Sequence, residues 1–123
     1  MSEADDVLGD YPGEMRFLAG ELGTEQVAFT YRLMPAGTGS KGSYGHRHKT
    51  QEEIYFVIDG TLQFKLDDDV IDVGPLTAVR IAPPTVRGVW NEGPEDVRLV
   101  ICSTKVDDLR SEGEIVDDFW PAD

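Results

Sequence analysis

Apolar and polar positions alternate along most of this chain, a period of two that marks half-buried strands rather than helices. Gln26–Met34 reads Q-V-A-F-T-Y-R-L-M and puts Val27, Phe29, Tyr31 and Leu33 on one face. The stretch Pro35–Gly45 holds four glycines and ends that strand. Glu53–Ile58 is a compact run of β-formers, and Thr61–Leu66 alternates again, with Leu62, Phe64 and Leu66 opposite Gln63 and Lys65. Asp59-Gly60 between them predicts a tight hairpin, because both central positions of a type I′ turn need positive φ. Asp67-Asp68-Asp69 turns the chain into Val70–Val73, and Gly74-Pro75 turns it into Leu76–Ile81. Pro83-Pro84 interrupts, since proline cannot donate to a ladder. Val86–Asn91 and Val97–Ser103 read as two further strands, and only Lys105–Glu114 has helical character. Short strands separated by frequent turns predict an all-β sandwich or closed barrel. The lack of a long crossover helix argues against a parallel α/β sheet.

Composition narrows the function classes. The 123 residues, 40% of them hydrophobic, suit one globular domain over residues 1–123. Residues 1–13 form a short acidic arm or frayed end, and the segment after Ser103 forms a tail. A formal net charge of −13 makes nucleic acid and anionic membrane surfaces unexpected partners. Only four of the eleven basic residues are Lys, a balance found in proteins kept soluble in high salt and in ordinary acidic proteins alike. The single cysteine, Cys102, precludes an intrachain disulfide and fits a reducing compartment. It lies in the apolar run Leu99–Ser103, where a small buried hydrophobe is expected. The N-terminus carries no apolar signal-peptide core, and no apolar run approaches the ~20 residues of a membrane span. A cytoplasmic protein is expected.

The chain's only histidines are His46 and His48. Two apart on an extended strand, they face the same way, and Glu53 opens the next strand. Two imidazoles and a carboxylate converging on one point suit a divalent metal. Spacing alone equally admits a solvated polar loop. The stretch His46-x-His48-x4-Glu53-x6-Gly60 resembles the first motif of the cupin superfamily in spacing and residue type. The resemblance covers roughly residues 25–103 and continues into a second motif that keeps its spacing but few anchors. Ser40 and Leu76 stand where glycines are usual, Ala82 where proline is, Pro84 where glycine is and Arg87 where the third histidine is; Asn91 is retained.

The resemblance implies a single-domain, jelly-roll-like β-barrel, often a homodimer, with Fe, Mn, Ni, Zn or Cu in its mouth. Cupins range from dioxygenases and isomerases to storage proteins and sensors, so the fold assigns no reaction. Arg87 cannot ligate a metal, because a guanidinium offers five donors and no lone pair. Two outcomes follow. Either His46, His48 and Glu53 form an open three-ligand site with Arg87 holding an anionic small molecule beside it, or Arg87 replaces the metal, pairs with Glu53 and leaves a metal-free binding or sensor module. A structural cupin without a working site is a third. Period two adds Tyr44, Tyr55 and Asn91 to the ligand-binding candidates, though Tyr44 and Tyr55 equally suit core or pocket wall. Trp90 alternates outward, toward a possible dimer contact, and Arg80 reads as a surface or cross-strand charge. Edge strands around residues 15–33 could pair across a two-fold axis. With both histidines in the H-x-H pair, no Ser-His-Asp or Cys-His set is available.

Overall fold

The computed structural model describes residues 13–106 and 109–122, so almost all of the expected N-terminal arm lies outside the described residues. Two antiparallel sheets face each other as a jelly roll. The first runs β1 (Glu14–Phe17), β2 (Val27–Met34), β10 (Val97–Thr104), β5 (Glu53–Asp59), β8 (Thr77–Ile81). The second runs β11 (Gly113–Val116), β4 (Gly45–His48), β9 (Arg87–Asn91), β6 (Leu62–Leu66), β7 (Asp69–Val73), with the two-residue β3 (Thr38–Gly39) also on β9. Two single-turn helices, α1 (Ala19–Leu22) and α2 (Leu109–Glu112), complete the described elements.

The core lies between the sheets. Val57, Leu62, Phe64, Val97 and Leu99 are fully buried there, each on the inward phase of its strand. This apolar layer fills one part of the barrel and leaves the part lined by β4, β9 and the start of β5 to polar side chains.

Three expectations are corrected. Asp59-Gly60 does not close a hairpin: β5 pairs with β10 and β8, whereas β6 pairs with β7 and β9, so the chain changes sheet at this corner. Gly60 has φ +80°, and a Cβ there would meet the Asp96 carbonyl oxygen at 2.7 Å. Of the two turn residues only Gly60 has positive φ, and a close backbone approach demands it rather than a type I′ hairpin. On β2, Val27, Phe29, Tyr31 and Leu33 do share a face, but Met34, on the other phase, is the fully buried residue. The segment after Lys105 holds one helical turn, and Gly113 and Glu114 belong to a strand paired with β4. Cys102 is only half-buried, because its register partners Phe29 and Ile54 stand on the outer face of their sheet.

Candidate functional site

Side chains from both sheets build the site. His46 and His48 enter from β4, with His46 directly opposite Arg87 of β9. Glu53 enters from the other sheet as the first residue of β5, opposite Ile81 and Ser103. The ligand-capable atoms of His46, His48 and Glu53 all lie within 4.8 Å of one another. The two imidazoles meet edge to face, centroids 5.2 Å apart. Glu53 Oε1 lies 3.4 Å from His48 Nε2 and 3.6 Å from Arg87 Nε. Neither contact is aligned as a hydrogen bond: His48 Nδ1 and Nε2, Glu53 Oε1 and Arg87 Nε are all buried without a hydrogen-bond partner among the described residues.

Orphaned buried lone pairs carry a cost unless something satisfies them. A divalent transition metal with bonds of about 2.1 Å spans ligand atoms up to roughly 4.2 Å apart, so a small inward adjustment would let these three residues hold one. The donor set fits: two imidazoles and one carboxylate leave coordination positions open to solvent or a bound molecule.

The electrostatics keep the lone pairs free. Burial, then the positive fields of Arg87, His48 and Arg32, push His46 down to about 4. Burial and Arg87 lower His48 as well, against the pull of Glu112. Both imidazoles are therefore neutral at pH 7. Burial raises Glu53, while Arg87 and a hydrogen bond from Tyr55 counter it. Burial also raises Tyr55, so its phenol keeps its proton and donates to Glu53.

The remaining sequence candidates fall in different places. Tyr55, 4% exposed, packs edge to face on Phe64 and orients Glu53. Tyr44 is 52% exposed, just before β4. Arg87 is fully buried, its Nη2 donating to the Ala82 carbonyl at 2.9 Å and its Nη1 to Pro83 at 3.4 Å. The guanidinium fork thus secures the Pro83-Pro84 turn, while Nε faces Glu53. Asn91 spends both amide donors on the Met34 and Glu95 carbonyls and accepts from Gly93 N–H, stapling the neighbouring loop. Trp90 donates to Glu92, and Arg80 makes the expected surface pair with Glu52.

Sequence reasoning missed three residues. Glu112 of α2 accepts hydrogen bonds from the backbone N–H groups of Thr50 and Gln51, at 2.6 and 2.5 Å, and so fixes the loop that delivers Glu53. Gln51 ties the same loop to Thr104 and Ser103 of β10. Neither contact has a local signal, since the partners lie more than fifty positions apart. The third, Arg32, did have one: a lone charge on the β2 phase opposite the apolar residues.

Two antiparallel sheets enclosing a His-His-Glu cluster define a jelly-roll protein with a candidate metal centre. Residues 30–103 match the family model of the Cupin domain, Cupin_2, and the chain belongs to that family. A 58-residue stretch is 31% identical to an uncharacterised protein of Methanocaldococcus jannaschii, covering 47% of this chain and 46% of that one, so the chain spans under half of that relative's length in the match. A cupin protein of Bacteroides fragilis is similar over 89% of this chain and 85% of its own, at 25% identity and TM-score 0.68. A double-stranded β-helix protein of Klebsiella pneumoniae shares the fold with TM-score 0.71 at 16% identity, over 94% of this chain and 98% of its own.

Proposed function

We propose that this chain is a single-domain, metal-binding cupin that holds a small anionic molecule inside its barrel. The observation that carries the proposal is the convergence of His46, His48 and Glu53, whose ligand-capable atoms lie within 4.8 Å of one another. His46, His48 and Glu53 would hold the ion, one of Fe, Mn, Zn or Ni. When bound, it supplies a Lewis acid beside the ligand. Tyr55 holds the Glu53 carboxylate by donating to it, and Arg87 sets its charge balance from the buried side. Tyr44 stands exposed just before the ligand strand, placed to meet an entering molecule. Reducing surroundings suit the lone Cys102, and we assign the protein to the cytoplasm as a homodimer.

The test is elemental analysis of protein purified without a nickel column or chelator. About one equivalent of a single transition metal per chain is expected in the wild type. His46→Ala should lose it, and wild-type metal content in that variant would overturn the assignment.

A second proposal has its own support. Arg87 Nε already faces Glu53 Oε1 at 3.6 Å, with the arginine fully buried. A chain that takes up no metal when Fe, Mn, Zn or Ni is supplied would be a metal-free binding or sensor module, with Arg87 as the resident cation. Turnover assays beside thermal-shift screening separate that module from an enzyme.

A further inference from the structure

We infer that Arg32, in the middle of β2, is the residue that anchors the ligand's oxyanion inside the barrel. The inference rests on the proposed small-molecule site and names the group that selects what enters it.

Strand phase puts Arg32 inside. Its register partner on β10 is Leu99, a fully buried core residue, and Met34, two positions on, is 1% exposed. Arg32 Nε is buried and has no hydrogen-bond partner among the described residues. The titratable groups that act on its guanidinium are the phenols of Tyr55 and Tyr44, not a carboxylate. It also stands close enough to His46 for its positive charge to act on that imidazole. Arg32 therefore borders the candidate metal centre from the sheet that also carries Glu53, facing the sheet of His46 and His48.

Arg32 differs from Arg87 in what is left to bind. Arg87 has given Nη1 and Nη2 to backbone carbonyls and turns Nε to Glu53. Arg32 has no such commitment at Nε. Among the described residues, the charged groups of the site are the guanidiniums of Arg32 and Arg87 and the carboxylate of Glu53, while Glu112 is held by Thr50 and Gln51. Arg32 thus holds a partly buried cation whose Nε has no partner among the described residues, and such a group is costly until a counter-ion meets it. An apolar residue would pack beside Leu99 without that cost. A planar guanidinium fork matches a carboxylate or a phosphate in two-point contact, which gives the position its use. The ligand is a small organic acid or phosphate, its oxyanion on Arg32 and its other end toward His46, His48 and Glu53.

The test compares the wild type with Arg32→Met and Arg32→Lys by calorimetric titration with acetate, succinate and inorganic phosphate, with metal content measured on each protein. The wild type should bind at least one of these probes, Arg32→Met at least tenfold more weakly, and Arg32→Lys in between; the preferred probe separates carboxylate from phosphate. Metal content should be unchanged, so loss of anion binding at full metal content supports Arg32 whatever the triad does. Without ligand, Arg32→Met should melt a few degrees higher than the wild type, because a partly buried charge with an unpartnered Nε has gone. Equal anion affinity in Arg32→Met, a lower melting temperature in that variant, or no binding of any probe to the wild type would each overturn the inference. The first two leave the metal proposal standing.

Discussion

At the scale of single residues, backbone conformation explains departures that side-chain chemistry does not. Leu76 stands where cupins usually carry glycine, and its φ is +58° with the side chain 74% exposed. Its N–H donates to the Val57 carbonyl at 2.7 Å, which fixes the turn into β8. A left-handed non-glycine residue costs on the order of 1–2 kcal/mol, whereas glycine loses roughly 0.5–1 kcal/mol more backbone entropy on folding. Little packing is at stake on so exposed a side chain. Leu76→Gly should therefore stabilise the protein by about 0.5 kcal/mol, read as a higher urea midpoint with an unchanged slope. Ser40, another residue standing where glycine is usual, has no positive φ; Gly39 and Gly42 near it, at +128° and +80°, carry that conformation instead. Arg87 illustrates the same scale in side-chain terms. The chemistry of a guanidinium excluded it as a metal ligand from sequence alone, but only its surroundings revealed that two backbone carbonyls occupy it.

At the scale of elements, the C-terminal segment is a working part of the second sheet. β11 pairs with β4 along its whole length, setting Ile115 opposite His46 and Gly113 opposite His48. Beyond it, Trp120 is 5% exposed, donates its N–H to the Ser43 carbonyl and accepts from Gly42 N–H. Phe119 fills the space that Gly45 leaves for lack of a side chain, and Lys65 lies over its ring at 3.9 Å. This packing clamps the Gly42–Gly45 lip from which the ligand strand starts. Trp120→Ala should cost about 3 kcal/mol in urea unfolding, the usual loss for a buried aromatic. It should also weaken metal retention with every ligand residue intact. Wild-type stability in that variant would reduce the segment to a surface appendage. The pattern Gly113–Val116 is too short to declare a strand, so this role was invisible until β4 was seen to need a neighbour.

At the scale of the whole molecule, the outer face of the first sheet carries an apolar stripe across β2, β10 and β5, flanked by Arg16, Arg80 and Arg98. Phe29 and Tyr31 of β2 stand beside Cys102 and Val100 of β10, which stand beside Ile54 and Phe56 of β5. Ile54 is 44% exposed there. A second copy laid on this sheet would cover the patch, in keeping with the proposed homodimer. Each chain carries a net charge of −13, so two copies repel unless salt screens them. Light scattering should give twice the protomer mass, with the dimer tighter at 1 M salt than at about 0.05 M, where the screening length is several times longer. A protomer mass at micromolar concentration in high salt would refute the dimer. Ile54→Lys should shift the equilibrium toward single chains while leaving metal content unchanged.

Local chemistry determined much of this protein. Period-two alternation and regular turns specified strands and which residues of each share a face, and H-x-H with Glu53 nominated the cluster, because those properties depend on neighbours a few positions apart. The tertiary structure decided the rest. It turned the Asp59-Gly60 hairpin into a corner between sheets, because strand partners are chosen by the best available ladder over the whole chain. It chose the Met34 phase of β2 as the interior one, because a strand buries whichever face the opposing sheet covers. That choice carried Arg32 into the barrel and left the more apolar phase, Phe29 and Tyr31, on the outside. The set of side chains that lines the interior follows from that long-range choice, which no window of sequence contains.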